Sequence, residues 1–185
     1  KDQWYIFYHR HTNGSWYSRQ GCAEPISIAE DGSIEQVEIT SCGLNGGPLA
    51  GQGEYPAYLA CHLFTDEPSM YVGGDAFPKV MQDGKDGDEE IGYVGNVQNS
   101  ATIGFKYFDM KNVKKIRVTM RGYISGNIEV RLTWDGDVLA SLPIEFTNVW
   151  ETYESEIEIP DGIHSLYFTF RGDGNGALKS FELLV

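Results

Sequence analysis

The stretch IGYVGNVQNSATIGFKYFD, residues 91–109, decides the predicted fold and the candidate site. We interpret it as a loop that carries Tyr93, followed by a β-strand in which Ile103, Phe105 and Tyr107 share one face. This interpretation follows because side chains along a strand alternate between the two faces of a sheet. By periodicity alone, Tyr93 is a core or rim tyrosine.

The second half of the chain has the pattern of short strands joined by turns. Residues 113–121 alternate apolar and polar side chains, and residues 128–132 do the same after a predicted Ser-Gly-Asn turn. Asp135-Gly136 is a strong hairpin signal, and the sequence GDGNG at 172–176 predicts a turn into the closing strand. Because no helical period is evident, these elements predict an all-β sandwich.

The composition excludes several partners. The 185 residues include 14 Lys and Arg against 27 Asp and Glu, which gives a net charge of −13. Such a charge repels nucleic acid and acidic membrane surfaces, whereas a neutral polysaccharide is indifferent to it. No apolar run approaches the length of a membrane span, and the N-terminal residues lack the pattern of a signal peptide. We therefore expect either that a signal was removed or that this is an internal fragment.

Cysteines and acidic residues give no convincing metal site. Cys22, Cys42 and Cys61 are odd in number and form no CxxC pair, so at most one disulfide is possible and buried free thiols are the simplest interpretation. The acidic run QDGKDGDEE at 82–90 contains clustered oxygen ligands, but its spacing does not match an EF-hand loop. We interpret it as a solvated loop.

A resemblance adds a functional expectation. The sequence IGYVGN, followed by GFKYF and then by a strand ending in MRG, resembles the family 6 carbohydrate-binding modules that are attached to family 43 glycoside hydrolases. The resemblance implies a jelly-roll β-sandwich in which two loop aromatics hold a sugar ring between them. The matching residues are Tyr93 and Trp150, the latter in NVWETYESEIEI. A flat ring suits this role because it covers the apolar face of a pyranose.

Two departures from the family pattern alter the expected site. An Asn that hydrogen bonds sugar hydroxyls in the family corresponds to Ala177 here, and Asn175 in the preceding predicted turn is the possible substitute. The two acidic residues that hold calcium in many family members correspond to Cys61 and Lys179. Because neither is a hard oxygen ligand of the required charge, we expect this calcium site to be absent and predict no cofactor.

The N-terminal residues resemble a different part of the family 43 enzymes. Residues 3–9 are predicted to form a strand that pairs in a hairpin with WYSRQ, residues 16–20. WYIFYHRHTN, SRQGCAEPI and the sequence that follows are similar to the last blade of the five-bladed propeller of those enzymes. The predicted domains are therefore a blade remnant at 1–41, a Gly-rich linker at 42–55 and the binding module at 56–185. In this comparison His9 and Arg19 match active-site residues, which act only together with the missing blades. Otherwise His9 is an ordinary hairpin residue and Arg19 a solvated strand residue.

The expected function is that of a non-catalytic module. Family 43 enzymes hydrolyse xylosidic and arabinosidic bonds with carboxylates from earlier blades, and Glu24 and Asp31 are the nearest candidates in this chain. Their settings indicate a strand entry and a turn. The chain is therefore predicted to bind xylan or arabinoxylan for a hydrolase and to be secreted, periplasmic or at the cell surface. The alternatives are an accessory domain that packs on the catalytic propeller, or a fragment of an inverting β-xylosidase or α-L-arabinofuranosidase.

Overall fold

The computed structural model describes residues 3–12, 19–66, 77–84 and 91–185. Two short 3-10 helices occur within these residues, Gly43–Asn45 and Ala57–Leu59. The remaining regular structure consists of strands: β1 Trp4–Arg10, β2 Gln20–Ile26, β3 Leu49–Ala50, β4 Gly53–Pro56, β5 His62–Phe64, β6 Lys79–Asp83, β7 Ile91–Val97, β8 Thr102–Met110, β9 Lys115–Arg131, β10 Ala140–Ile144, β11 Thr147–Glu156 and β12 Gly162–Leu184. None of the described helices is long and apolar enough to cross a membrane.

Two long antiparallel strands, β9 and β12, organise the sandwich. They pair with each other from Tyr167 opposite Arg131 to Leu184 opposite Lys115. One half of this pair continues into β8 and β10, and the other half into β7, β4 and β11. Both layers of the sandwich contain part of β9 and β12. Their inner faces therefore enclose one core. The predicted all-β sandwich with an N-terminal hairpin is confirmed.

Glycines in the middle of the two long strands do not form the turns that the sequence predicts. Gly126 lies opposite Gly172 in a continuous strand pair. A side chain at Gly126 would come within 2.2 Å of the Arg171 carbonyl oxygen and 2.7 Å of the Gly172 Cα. These glycines therefore allow two backbones to pass closely, and the predicted turns at 125–127 and 172–176 are wrong.

The core follows the alternation that the sequence predicts for β9. Ile116, Val118 and Met120 are fully buried. Opposite them, Phe181 lies at the centre of an aromatic cluster, with ring centroids 4.7 Å from Phe105 and 5.0 Å from Phe168. Burial of these side chains is the main stabilising contribution to the sandwich.

A β-bulge interrupts the alternation that we predicted in β8. Ile103 and Phe105 are fully buried as expected, but the next fully buried side chain is Phe108. The pairing with β12 shifts at this point. His164 pairs with Phe108 and Leu166 pairs with Phe105, so a step of two residues in β12 corresponds to a step of three in β8. The extra residue turns Tyr107 away from the core, so its predicted place beside Ile103 and Phe105 is wrong.

The N-terminal hairpin is a separate two-stranded sheet. Trp4 pairs with Ile26 and Arg10 with Gln20, so the second strand begins at residue 20. The predicted partner was 16–20, of which 16–18 lie outside the described residues. Glu24 anchors the hairpin to the following segment: its buried carboxylate accepts hydrogen bonds from the Thr40 amide at 2.8 Å and the Thr40 hydroxyl at 2.7 Å.

The segment predicted as a linker is partly built into the sandwich. Within 42–55, β3 pairs in parallel with β8, and β4 pairs with β12. Tyr55 packs on Phe108 and Phe181, with ring centroids at 5.1 Å and 5.6 Å. Residues 49–50 and 53–55 therefore pair with strands of the sandwich, and the predicted linker boundaries at 42 and 55 stay a prediction. That residues 1–41 derive from a propeller blade stays a prediction.

The three cysteines are free thiols. Cys42 and Cys61 are buried, whereas Cys22 is half-buried in the hairpin. Burial raises the pKa of the Cys61 thiol, which lies 3.5 Å from the Gly104 carbonyl oxygen.

Candidate functional site

The structure brings the two predicted aromatics together. Tyr93 lies in β7 and Trp150 in β11, and their ring centroids are 5.5 Å apart with 62° between the ring planes. Both positions are within strands, so the prediction that they lie in loops is wrong. Tyr93 is only 8% exposed.

As placed, the two rings do not form the open walls of a sugar sandwich. A sugar held between two rings needs ring planes about 7–8 Å apart and nearly parallel, because each carbon contact takes about 3.5–4 Å. Here the edge of one ring contacts the other. Tyr93 and Trp150 are therefore neighbours at the candidate site, without the gap that sandwich binding requires.

Arg121 of β9 holds this arrangement. Its guanidinium carbon lies 4.2 Å from the Trp150 ring centroid and 5.2 Å from the Tyr93 ring centroid. Asp83 of β6 forms an ion pair with the same guanidinium at 2.8 Å, and this hydrogen bond raises the pKa of Arg121. The cation contacts both aromatic rings and so joins three strands at one point.

A cavity of about 350 Å³ opens beside Tyr93 and Arg121. This volume lies in the range of small-ligand sites. Trp150 is not part of its lining. The wall combines aromatic, amide and small residues: Met81, Tyr93, Gly95, Asn96, Arg121, Gly122, Tyr123, Thr147, Asn148, Asn175, Gly176 and Ala177.

Asn175 provides an amide group at this cavity. It lies in β12, not in a turn, and its side-chain nitrogen donates a hydrogen bond to the Asn96 side-chain oxygen at 3.0 Å. Asn96 in turn donates to the Phe77 carbonyl oxygen at 2.6 Å. Ala177 also lines the cavity, at the position where the resemblance led us to expect the sugar-binding Asn.

Sequence reasoning missed two residues of this site, Arg121 and Tyr123. Arg121 ends the predicted strand at 113–121, and Tyr123 lies between that strand and the predicted Ser-Gly-Asn turn. A basic residue between two aromatics that are distant in sequence leaves no local signal. Tyr123 is 78% exposed in the middle of a paired strand, and this exposure is evident only in three dimensions.

The proposed remnants of a parent active site lie together on the hairpin. Arg19 donates a hydrogen bond to His11 at 3.4 Å, and the His11 ring stacks on His9 with centroids 6.2 Å apart. Of the two carboxylates considered as catalytic candidates, Glu24 is bound to Thr40, and Asp31 accepts a hydrogen bond from the Ser33 amide at 2.9 Å. The roles of His9 and Arg19 stay predictions.

Cys61 and Lys179, which correspond to the calcium ligands of many family members, carry no carboxylate. Cys61 is buried against the Gly104 carbonyl, and Lys179 is half-buried in β12. Across 3–12, 19–66, 77–84 and 91–185, no three His, Cys, Asp or Glu side chains are grouped to hold a metal. Residues 85–90 of the acidic run lie outside the described residues, as does the Ile91 side chain.

A larger cavity of about 410 Å³ lies where the hairpin meets the sandwich. Its lining comes from β1, β2, the Thr40–Leu44 region and the helix Ala57–Leu59, and it includes Glu24 and Cys22. Its lining residues include none of Tyr93, Trp150 and Asn175. We therefore place the candidate site at the smaller cavity.

A jelly-roll sandwich with aromatics, amides and a ligand-sized cavity beside neighbouring strands has the features of a β-sandwich module that binds a small ligand. The family model described as "Carbohydrate binding module (family 6)" matches residues 80–183. This chain therefore belongs to the family 6 carbohydrate-binding modules.

Known proteins extend the similarity beyond these residues. A xylosidase/arabinosidase of Thermoclostridium stercorarium is 57% identical over 187 aligned positions, which cover 98% of this chain and 40% of that protein. The chain thus spans less than half the length of that relative. These matches confirm the resemblance to a module attached to xylosidase- and arabinosidase-like enzymes.

Solved structures show the same fold. A family 6 carbohydrate-binding module from Clostridium cellulolyticum, in complex with xylose, matches with a TM-score of 0.58 and 18% identity, over 74% of this chain and 99% of that one. A family 43 arabinoxylan arabinofuranohydrolase from Bacillus subtilis, in complex with cellotetraose, matches with a TM-score of 0.62 and 20% identity. This second match covers 99% of this chain, hairpin included, and 39% of the enzyme.

Proposed function

We propose that the chain is the non-catalytic binding module of a hydrolase that degrades xylan or arabinoxylan. In this proposal it binds xylo-configured polysaccharide by stacking sugar rings on aromatic side chains. The observation that carries the proposal is the meeting of Tyr93, Trp150 and Asn175, distant in sequence, around one cavity and its margin. The names of the relatives, a xylosidase/arabinosidase and an arabinoxylan arabinofuranohydrolase, support the choice of polysaccharide.

The proposal includes the place where the module acts. Plant cell-wall polysaccharide is too large to enter a cell, so a module that binds it works as part of a secreted, periplasmic or cell-surface enzyme. Its other partner is the catalytic propeller of the same parent protein. The net charge of −13 is compatible with a neutral polysaccharide.

Stacking gives a weak but measurable affinity. One sugar face on an aromatic ring buries roughly 60–100 Å² of mostly apolar area, which is worth about 2 kcal/mol. Two such contacts, less the cost of ordering the sugar chain, give dissociation constants of roughly micromolar to millimolar.

Affinity electrophoresis in gels that contain soluble xylan or arabinoxylan tests the proposal. We expect the wild type to be retarded, and Trp150→Ala to bind up to about thirtyfold more weakly. Trp134→Ala is the matched control, because Trp134 is 60% exposed and its ring lies against Phe64, away from the cavity. Migration of the wild type and of Trp150→Ala that is the same in xylan gels as in blank gels contradicts the proposal.

A second candidate function is a structural domain that packs on the catalytic propeller without binding sugar. The burial of Tyr93 and its closed contact with Trp150 favour this candidate. Exposed apolar side chains on the hairpin, with Phe7 at 71% and Trp4 at 61%, supply a surface on which another domain could pack. No retardation of the wild type in any xylan gel, together with an unchanged fold, is the result that this candidate predicts.

A further inference from the structure

An exposed aromatic pair stands at the rim of the cavity. Tyr123 is 78% exposed and Phe146 is 56% exposed, and their rings stack with centroids 4.6 Å apart and 29° between the planes. Stacking covers one face of each ring. Among the described residues, no second aromatic ring contacts Tyr123. Large aromatic faces left open to water in this way are typical of binding surfaces.

The backbone fixes the position of this pair. Tyr123 is opposite Asn175 in the β9–β12 ladder, and the neighbouring Gly122 is opposite Thr147 of β11. Phe146 immediately precedes Thr147, so the strand pairing itself brings the two rings together. Because Tyr123 pairs with Asn175 of β12 and its neighbour Gly122 pairs with Thr147 of β11, its ring is presented by regular strand backbone.

The surroundings of Tyr123 fit a sugar better than a purely apolar ligand. Directly opposite residues of an antiparallel pair project on the same face with their Cβ atoms about 5 Å apart, so Asn175 stands beside the Tyr123 ring. Asn175 uses its side-chain nitrogen to bind Asn96, and its side-chain oxygen accepts no hydrogen bond from the described residues. Asn148 adds a further amide to the cavity wall. An apolar ring face beside amide groups matches the C–H face and the hydroxyls of a pyranose.

Glycines keep the base of this surface open. A side chain at Gly122 would come within 2.6 Å of both the Asn175 carbonyl oxygen and the Gly176 Cα. The two strands therefore approach closely next to Tyr123, and Gly122 and Gly176, which have no side chains, are part of the cavity wall.

Tyr93 has much less surface to give. It is 8% exposed, and the Arg121 guanidinium and the Trp150 ring already contact it. Tyr123 lines the same cavity and is 78% exposed. The larger free aromatic area at this site is therefore that of Tyr123.

We propose that Tyr123, supported by Phe146, is the main stacking surface for a neutral pyranose ring of the bound polysaccharide, and that Asn175 binds the hydroxyls of that ring. This inference rests on the proposed function and adds a residue that neither the sequence pattern nor the family resemblance indicated. It assigns Tyr93 and Arg121 to positioning the wall of the cavity.

Isothermal titration calorimetry with xylohexaose, together with affinity electrophoresis in arabinoxylan, tests the inference on the whole chain. We expect Tyr123→Ala to weaken binding by about tenfold or more and Tyr123→Phe to bind within about twofold of the wild type, because the ring face and not the hydroxyl carries the contact. Phe146→Ala should cause a smaller loss, since it removes the support and not the surface. Ile163→Ala is the control, because Ile163 is also an exposed apolar side chain, at 62%. This substitution should leave the affinity for both ligands unchanged.

The outcomes separate this inference from the proposed function. Binding by the wild type and equally by Tyr123→Ala, with Trp150→Ala defective, overturns the inference and leaves the proposed function standing. No binding by the wild type overturns both. Circular dichroism and thermal unfolding of each variant test whether a loss of binding reflects a loss of folding. Folding is expected to be unchanged for the variants of Tyr123, Phe146 and Ile163, because these side chains are exposed.

Discussion

Replacing Arg121 with Ala should destabilise the sandwich more than the loss of an ordinary surface arginine. The guanidinium makes two cation–π contacts, at 4.2 Å from the Trp150 centroid and 5.2 Å from the Tyr93 centroid. Such contacts are worth about 0.5–1 kcal/mol each, and the partly exposed ion pair with Asp83 adds about 0.5 kcal/mol. The free energy of unfolding should therefore fall by about 1.5–2.5 kcal/mol.

Urea unfolding followed by circular dichroism measures this change. Arg121→Lys keeps the charge and loses the planar group that covers the rings, so its loss should be intermediate. Arg117→Ala is the matched control: Arg117 lies on the same strand and forms ion pairs with Glu154 and Glu182, without an aromatic contact. Because those pairs are exposed, its effect should be clearly smaller. Equal losses for Arg117→Ala and Arg121→Ala would refute the role that we assign to the aromatic contacts.

Two further predictions concern the hairpin and the pH response. Glu24→Gln keeps one side-chain oxygen, so it loses one of the two Thr40 hydrogen bonds together with the negative charge that strengthens the other. Limited proteolysis between residues 27 and 41 should therefore be about tenfold faster or more, whereas Asp31→Asn, in a local turn, should leave the rate unchanged. Burial lowers the pKa of His62 below its ordinary 6.5. Below pH 6.5 the unfolded chain takes up a proton that folded His62 resists. Wild-type stability should therefore fall more steeply than that of His62→Gln as the pH decreases through about 6.5 in urea unfolding. Parallel pH slopes for the two proteins would contradict this second prediction.

Local patterns predicted much of the sandwich. The alternation in residues 113–121 placed Ile116, Val118 and Met120 in the core, where they are fully buried. The Asp135-Gly136 turn joins β9 to β10 as predicted. Both signals are local, because strand alternation and turn chemistry depend on residues a few positions apart.

Glycine signals were ambiguous for a physical reason. A glycine run permits a turn, and it equally permits two backbones to pass closely within a sheet. Gly126 and Gly172 each looked like part of a turn, and only their pairing with each other decided that β9 and β12 continue. The same holds for β8, where the bulge that turns Tyr107 outward depends on the register with β12.

The sequence by itself determined the fold class, the family resemblance and the identity of two aromatics that meet at the site, because these depend on short motifs and local periodicity. Only the tertiary structure decided that Tyr93 and Trp150 close on Arg121 and that Tyr123 stands exposed beside Asn175. Contacts between residues so far apart in the chain depend on strand register and side-chain packing, which no local pattern encodes.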